Sequence, residues 1–332
     1  MAVRARVVDI SAWVSGGVDR DRSRSARAIA DGLAESTVVQ IVGHGIPDSV
    51  VEAVPTAMDD LFALSAAEKE ALIAPRGHNR GYSPSGSEAL SRSLGLHPDG
   101  FDTFEAFTIG AEQADYPHTK VSGTAYAPSL WPAIPQFRRH VDTYFNEAGR
   151  VSRTLMSVLG DGLGVGRTYF NRITDHSVDT MRLVHYPGSA PSGTGMSPHT
   201  DYGFTTLVWA DRLPGLQVAL DGRWHDIVPE PGALLLLVGD LLAHTTNDLW
   251  PATLHRVHHT AGIDRRSVIF YHDGNAEAVI APISGLLAPG EAARYAPVTV
   301  RDHISAKLAA GREGKNGNGR DPALGRLPDE TP

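Results

Sequence analysis

Three residues of this sequence carry side chains that bind transition metals. His199 and Asp201 are two positions apart, and residues i and i+2 of a β-strand point to the same face. His255 lies on a later predicted strand. Two imidazoles and one carboxylate form a facial triad that binds Fe(II) and leaves its other positions open to oxygen and substrate. The sequence therefore predicts an iron site formed by His199, Asp201 and His255.

Other histidines compete for the role of third ligand. The chain has 15 histidines, and His258 and His259 follow His255 closely. If this segment is extended, His255 and His259 share a face, so His259 could stand beside the site. An ordinary surface pair of His199 and Asp201 is the alternative to a metal site. Four further histidines are expected to be structural or exposed: His185, His225, His244 and His272.

A predicted carboxylate site follows the last metal ligand. Arg265 and Ser267 are also two positions apart, so on a strand a guanidinium and a hydroxyl face the same way. A guanidinium binds a carboxylate through two parallel hydrogen bonds, which a lysine ammonium cannot do. The alternative is that Arg265 is solvated and Arg266 binds the anion. The shared phase with Ser267 favours Arg265.

Four residues are candidates for contact with a substrate. Arg182 shares a predicted strand face with Tyr186 and could bind an acidic or polar group, or form a structural salt bridge instead. Phe204 follows the metal ligands and could line a pocket or pack in the core. Arg80 and Tyr82 lie on a polar, glycine-rich segment that could close over the site or remain a solvent loop.

Composition excludes several functional classes. The chain has 332 residues, 42% of them hydrophobic, a net charge of −8 and no cysteine. Disulfides, thiolate catalysis and zinc–thiolate sites are therefore excluded, and the acidic balance argues against nucleic-acid binding. No apolar run is long enough to span a membrane, and no secretory signal precedes the first strand. We expect a cytoplasmic protein that binds a small molecule and needs no obligate protein partner.

Hydrophobic periodicity changes near the middle of the chain. Residues 1–175 predict a helical and mixed region, whereas residues 176–310 contain many short β-like segments at regular spacing, typical of a jelly roll. The tail, residues 311–332, is rich in Gly, Asn, Asp and Pro and is predicted to be disordered. The predicted helices are 21–36, 49–64 and 136–159. The predicted strands are 7–10, 38–42, 104–107, 181–186, 205–208, 216–218, 224–227, 233–238, 255–257 and 267–271.

Several short motifs follow one another along the chain. They are Val42-Gly43-His44-Gly45-Ile46-Pro47, Arg80-Gly81-Tyr82, the run from His199 to Leu207, Pro214-Gly215-Leu216-Gln217-Val218, Gly239-Asp240, His255-Arg256-Val257 and Arg265-Arg266-Ser267. Together they resemble the isopenicillin N synthase-like family of non-haem Fe(II) oxygenases, most of which depend on 2-oxoglutarate. The similarity covers roughly residues 5 to 305. It implies an α+β fold whose mainly β core is a double-stranded β-helix, with the helical N-terminal region packed around it.

The resemblance also implies roles for individual residues. His199, Asp201 and His255 would bind Fe(II), and Arg265 and Ser267 would bind the distal carboxylate of 2-oxoglutarate. Tyr186, in Val184-His185-Tyr186-Pro187, matches a family tyrosine that can hydrogen-bond the same cosubstrate.

The expected activity is oxidation of an unactivated carbon of a small molecule by dioxygen, with 2-oxoglutarate as cosubstrate. By analogy with other family members, the product would belong to secondary-metabolite, for example antibiotic, biosynthesis. Two alternatives remain open at this point. One is an iron oxidase that needs no 2-oxoglutarate, and the other is a non-catalytic iron-binding protein.

Overall fold

The computed structural model describes residues 5–98, 100–121, 123–314 and 321–328. Most of these residues belong to two β-sheets and the helices that cover them. The strands are β1 (Arg6–Asp9), β2 (Val38–Val42), β3 (Gly81–Ser83), β4 (Glu105–Gly110), β5 (Thr180–Tyr186), β6 (Gly193–His199), β7 (Thr205–Ala210), β8 (Leu216–Leu220), β9 (Arg223–Asp226), β10 (Leu234–Val238), β11 (His255–His259), β12 (Arg265–His272), β13 (Val279–Ile280) and β14 (Val298–Thr299).

The helices lie mainly before β5 and after β14. They are α1 (Ser11–Val14), α2 (Asp19–Ser36), α3 (Asp48–Phe62), α4 (Ala66–Glu70), α5 (Phe137–Gly162), α6 (Asn171–Thr174), α7 (Asp240–Thr245) and α8 (Val300–Glu313). Short 3-10 helices occur at Leu90–Leu94, Gln113–Asp115, Thr124–Tyr126, Ser284–Leu286 and Pro322–Arg326. No helix in the described ranges is both long and apolar enough to cross a bilayer.

The major sheet has eight strands in the order β1-β2-β10-β7-β12-β5-β4-β3, and the minor sheet has the order β6-β11-β8-β9. Only β1 and β2 pair in parallel within these two sheets, and the other pairs are antiparallel. Buried apolar side chains of both sheets, among them Tyr186, Ile269, Val218 and Val257, form one cluster. This two-sheet core agrees with the predicted jelly roll.

Alternation along β5 separates the two faces of the major sheet. Val184 and Tyr186 belong to the cluster that joins the two sheets, whereas Met181 and Leu183 pack with the helices. The long helix α5 covers that second face, where Phe145 packs against Phe270 of β12 with ring centroids 5.2 Å apart. Helices α2 and α3 pack in turn on α5. The helical region thus backs the sheet that carries half of the site.

The predicted boundary at residue 175 marks a change in hydrophobic periodicity, but it does not divide the sheets. Strands β1 to β4 come from the N-terminal region, yet all four lie in the major sheet beside strands of the C-terminal region. For example, β2 pairs with both β1 and β10, and β4 pairs with β5. Backbone hydrogen bonds therefore join the two regions throughout.

The prediction that residues 311–332 are disordered is wrong for most of the tail. Helix α8 continues to Glu313, and the segment 321–328 includes a short helix whose Ala323 is buried. Asp321 forms an ion pair with Lys307 of α8, which also pairs with Asp240. A buried lysine is costly without anionic partners, so the ion pair with Asp321 helps to hold the polar tail against α8. Residues 315–320 and 329–332 lie outside the described residues.

We therefore expect the tail to contribute to stability. A chain ending at Gly314 loses the Asp321–Lys307 ion pair, although Lys307 keeps Asp240 at 3.0 Å. Loss of one charge-assisted hydrogen bond should lower the free energy of unfolding by about 1.5–3 kcal/mol, measured by urea denaturation. Asp321→Asn in the full chain should reproduce much of this loss. A chain ending at Pro328 is the control, and equal stability of all four proteins would contradict the role of Asp321.

Candidate metal centre and active site

The minor sheet brings the predicted metal ligands together. β6 and β11 are antiparallel neighbours, and His199 lies directly opposite His255 in the register. Asp201 follows two residues after the end of β6. The ligand atoms of all three side chains lie within 4.8 Å of one another, and all three residues are buried. Within the described part of the chain this is the only such group of three or more histidines and carboxylates.

The geometry fits a shared cation. His199 Nε2 lies 3.8 Å from Asp201 Oδ1, and His255 Nε2 lies 4.0 Å from Asp201 Oδ2. These separations are too long for hydrogen bonds but suit atoms that surround one ion at about 2 Å each. Asp201 Oδ2 is buried and has no hydrogen-bond partner. A buried, unpartnered carboxylate oxygen is costly, so a bound metal ion would stabilise this arrangement.

Both imidazoles are oriented in the same way. His199 Nδ1 donates to the carbonyl oxygen of Ser197 at 2.8 Å, and His255 Nδ1 donates to that of Thr253 at 2.9 Å. Each ring therefore keeps its proton on Nδ1 and presents Nε2 to the centre, as metal-binding histidines do. Burial, together with the neighbouring His255, lowers the pKa of His199 well below its usual range. The neutral form, which binds metals, is thus favoured.

The competing histidines are accounted for. His259 is buried further along β11, opposite Gly193, and is not part of the metal group. His258 is exposed. The four histidines expected to be structural have other contacts: His185 with Glu105, His225 with the carbonyl of Leu220, His244 with the ring of Tyr295, and His272 with Asp179.

The loop that carries Asp201 is held by the segment after β10. The backbone N–H of Asp240 donates to the Asp201 carbonyl at 2.8 Å, and that of Leu241 donates to Gly203 at 2.9 Å. The approach is close: a Cβ on Gly239 would lie 2.2 Å from the Gly203 carbonyl oxygen. Only glycine fits there, which explains the Gly239-Asp240 motif in physical terms.

Asp240 also anchors the C-terminal helix. Its Oδ2 accepts hydrogen bonds from His303 Nε2 at 3.1 Å and Lys307 Nζ at 3.0 Å, both on α8. Burial alone would raise the pKa of Asp240, but the charge of Lys307 and the hydrogen bond with His303 outweigh it and lower that pKa. α8 is thereby fixed beside the metal-ligand loop.

Arg265 and Ser267 lie on β12 and are both buried. Arg265 sits opposite Tyr186 in the register, with its guanidinium carbon 5.1 Å from the centre of the Tyr186 ring. Its Nε and Nη1 are buried and have no hydrogen-bond partner. A buried guanidinium with unpartnered donors is available to bind a carboxylate. Arg266, the alternative, points away and pairs with Asp59 at 2.5 Å.

A cavity lined by His199 and Asp201 adjoins the metal-ligand group. Arg182 lines it and is paired with Glu88 through two hydrogen bonds, Nη1 to Oε2 at 3.1 Å and Nη2 to Oε1 at 3.0 Å. The salt bridge that was the alternative for Arg182 is therefore present, and it stands in the wall of the cavity. Tyr186 donates to the sulfur of Met196 at 3.8 Å and lies in the core between the sheets.

The other three substrate candidates have structural contacts instead. Phe204 is fully buried, packs against Phe170 with ring centroids 5.8 Å apart and does not line the cavity. Arg80 donates to the carbonyl oxygens of Asn79, Ala111, Ala125 and Ala127, although it also lines a second, adjoining cavity. Tyr82 donates to Glu105 at 2.5 Å. Neither Phe204 nor Tyr82 is in a position to contact a substrate in the cavity.

The contribution of α8 to the cavity was not predicted. Ile304, Leu308 and Arg312, four residues apart, line the cavity from one face of the helix. A signal for this helix exists in the sequence. Thr299 is followed three residues later by Asp302, a pattern typical of a helix N-terminus. In the structure Thr299 is the N-cap of α8, and its side chain accepts a hydrogen bond from the backbone N–H of Asp302.

Comparison with known proteins identifies the family. A family model described as "non-haem dioxygenase in morphine synthesis N-terminal" matches residues 6–134, and one for the 2OG-Fe(II) oxygenase superfamily matches residues 177–273. The chain is 33% identical over 278 residues to the 2-oxoglutarate-Fe(II) type oxidoreductase hxnY of Emericella nidulans, covering 80% of this chain and 78% of that one. The chain belongs to the 2-oxoglutarate–Fe(II) oxygenase family. Clavatol oxidase claD of Penicillium crustosum is 28% identical, covering 82% of this chain and 86% of the oxidase.

Solved structures confirm the predicted fold class. A putative 2OG-Fe(II) oxygenase family protein of Caulobacter crescentus superimposes with a TM-score of 0.79 at 24% identity, covering 93% of this chain and 98% of that one. A full-length Neurospora crassa protein in complex with alpha-KG and thymine gives 0.78 at 25% identity, covering 92% and 96%. This oxygenase accordingly uses Fe(II) and 2-oxoglutarate, and the predicted enzyme class is confirmed.

Replacement of His255 tests the metal ligand set. Loss of partners around a metal ligand alone weakens metal binding by roughly 10- to 100-fold, so His255→Ala, which removes a ligand, should cost more than about 100-fold. Anaerobic titration with Fe(II), with Co(II) as a spectroscopic substitute, measures this. His259→Ala is the matched control on the same strand face and should bind metal nearly normally. The reverse result would assign the third ligand to His259.

The Glu88–Arg182 pair should make stability depend on pH. Burial alone would raise the pKa of Glu88, but Arg182 and Arg312 outweigh it and hold that pKa at about 2, against 4.5 in the unfolded chain. The ion pairs therefore stabilise the fold fully above pH 4.5 and lose this effect as pH falls to about 2. The difference in unfolding free energy between wild type and Glu88→Gln should shrink over that range in urea denaturation. The exposed Glu70→Gln is the control; a difference that stays constant with pH would refute the assignment.

Proposed function

We propose that His199, Asp201 and His255 hold Fe(II), and that Arg265 and Ser267 hold the distal carboxylate of 2-oxoglutarate beside Tyr186. One observation carries this proposal. Two imidazoles and a carboxylate, with ligand atoms within 4.8 Å of one another, are buried in the same two-sheet core as the guanidinium of Arg265, whose Nε and Nη1 have no partner. Together, iron and 2-oxoglutarate supply the oxidation of a carbon–hydrogen bond by dioxygen.

The residues of this chain position and shield that chemistry. The carbonyls of Ser197 and Thr253 fix the imidazole rings with Nε2 toward the metal. Arg265 and Ser267 would fix one end of the cosubstrate and so limit its orientation in the site. His199, Asp201 and His255 would hold the metal, and the cavity beside His199 and Asp201 would receive the substrate.

The proposed substrate is a small molecule with an unactivated carbon placed next to the metal, and hydroxylation is the simplest outcome. Relatives with similar chains include clavatol oxidase and gibberellin 20 oxidases, which supports a role in the tailoring of specialised metabolites. We further propose that the enzyme acts in the cytoplasm, without an obligate protein partner. The absence of cysteine and the net charge of −8 are compatible with that setting.

The competing reading is an iron oxidase that consumes no 2-oxoglutarate, in which Arg265 and Ser267 would contact the substrate itself. A binding protein without activity is the other. Family membership argues against both alternatives, since 2-oxoglutarate is part of the family description. Binding of 2-oxoglutarate to this chain tests them directly.

Replacement of Arg265 is the direct test. A hydrogen bond to a charged group contributes on the order of 1.5–3 kcal/mol, so Arg265→Gln should weaken 2-oxoglutarate binding roughly 10- to 150-fold. Arg265→Lys should recover only part of this, because an ammonium lacks the two-pronged geometry, and Ser267→Ala should cost less. The measurement is titration of the anaerobic Fe(II) protein with 2-oxoglutarate, paired with succinate release.

Arg266→Gln provides a matched control one residue away. It removes the same charge from the same strand but from a side chain that pairs with Asp59 at the surface, so 2-oxoglutarate binding should stay near wild type. Iron content should be unchanged in every variant, since neither arginine is a metal ligand. Substrate oxidation without 2-oxoglutarate binding or consumption would instead establish the cosubstrate-independent oxidase.

A further inference from the structure

A cluster of three charged side chains stands in the cavity wall and has no part in binding iron or 2-oxoglutarate. Glu88, Arg182 and Arg312 come from three distant segments of the chain and line the same cavity as His199 and Asp201. Arg182 engages both carboxylate oxygens of Glu88, and Arg312 Nε donates to Glu88 Oε1 at 3.2 Å. Two guanidinium groups thus share one carboxylate.

The cluster carries one positive charge in excess. The carboxylate of Glu88 is buried and is already matched by the two-pronged pairing with Arg182, so Arg312 is the cation without a full counter-charge. Arg312 is held in place by a second contact, from its Nη2 to Asn79 Oδ1 at 2.7 Å. Its side chain remains 27% exposed, whereas that of Arg182 is 7% exposed, so Arg312 is the more accessible of the two.

The remaining lining combines aliphatic side chains with polar ones, namely those of Thr180, Tyr202, Tyr271 and Asp273. Leu90, Ile304 and Leu308 line the cavity from two elements. Asp273 lines it where it adjoins the second cavity, which Arg80 and Arg301 also line. A ligand with an apolar body and one anionic group would bury its body against these aliphatic side chains and direct the anion to Arg312.

We propose that Arg312 is a specificity-determining residue of this oxygenase that binds a carboxylate group of the substrate, with Glu88 and Asn79 holding its guanidinium in position. The proposal rests on the proposed function, because it places the substrate in the cavity beside the metal ligands. The substrate class is therefore a small organic acid with an apolar body. α8 delivers Arg312, and the contacts of His303 and Lys307 with Asp240 fix α8 relative to the Asp201 loop.

The variant Arg312→Gln is suited to the test, because Glu88 keeps its two hydrogen bonds with Arg182 and no buried charge is left unpaired. Replacement of Arg182 would leave the buried carboxylate of Glu88 without its main partner, so a loss of ligand binding could not be told apart from a loss of stability. Arg76→Gln is the matched control. Arg76 pairs with Glu313, the next residue of the same helix, and its side chain is 82% exposed and does not line the cavity.

The probes are two series with the same carbon frame: benzoate, benzamide and benzylamine, and phenylacetate, phenylacetamide and phenethylamine. Each is titrated calorimetrically into the protein loaded with Zn(II), which does not react with oxygen, and saturated with 2-oxoglutarate. Saturation keeps the probe carboxylates away from Arg265. At least one carboxylate should bind wild type more tightly than its amide and amine, by roughly 10-fold or more.

In Arg312→Gln that preference should fall by roughly 10-fold or more, while Arg312→Lys should keep part of it and Arg76→Gln all of it. Equal binding of acid and amide, tighter binding of the amines, absence of binding by every acid, or an unchanged preference in Arg312→Gln would each overturn the proposal. Titration with 2-oxoglutarate alone distinguishes a failure of the proposed function from a failure of the proposal for Arg312. If it fails in wild type, the proposed function fails; if it succeeds in Arg312→Gln, any loss belongs to the substrate site.

Discussion

One buried carboxylate, that of Asp240, joins the metal-ligand loop to the C-terminal helix. Its backbone N–H supports the carbonyl of Asp201, and its side chain accepts from His303 and Lys307 of α8. Taking such a charge out of water is costly unless cationic partners compensate for it. The fold can therefore bury Asp240 only when α8 is docked. Metal site, cavity wall and tail thus depend on the same ion cluster, which explains why a polar, glycine-rich tail is ordered where it contacts this cluster.

Local periodicity predicted the parts of the site that lie on regular strands. Along β5 and β12, alternate residues face the space between the sheets, so the shared faces of Arg182 with Tyr186 and of Arg265 with Ser267 followed from a two-residue repeat. The same rule put His255 and His259 on one face of β11, and both are buried. These predictions needed no knowledge of the partner strand, because the pleat alone sets the direction of each side chain.

Features that depend on distant contacts were missed or misread. β6, which ends in His199, contains Gly193, Gly195 and Pro198, and its sequence has little strand propensity. It is held by pairing with β11 rather than by its own residues. Phe204 was a plausible pocket residue by proximity in sequence to Asp201, but the chain re-enters the major sheet there and the ring turns into the core.

Arginines posed the same difficulty, because a guanidinium can be satisfied in several ways that sequence does not distinguish. Arg80 is neutralised by no carboxylate at hydrogen-bonding distance within the described residues; four backbone carbonyls accept from it, and burial lowers its pKa to about 10. Arg182 takes both oxygens of Glu88, 94 positions away in the sequence. In contrast, Arg265 keeps Nε and Nη1 without partners, and a Cβ on the adjacent Gly215 would come within 3.4 Å of its Nε. Arg182 leaves only Nε without a partner, whereas Arg265 leaves two buried donors on a side chain that the fold has already ordered, so less ordering cost remains for binding a carboxylate there.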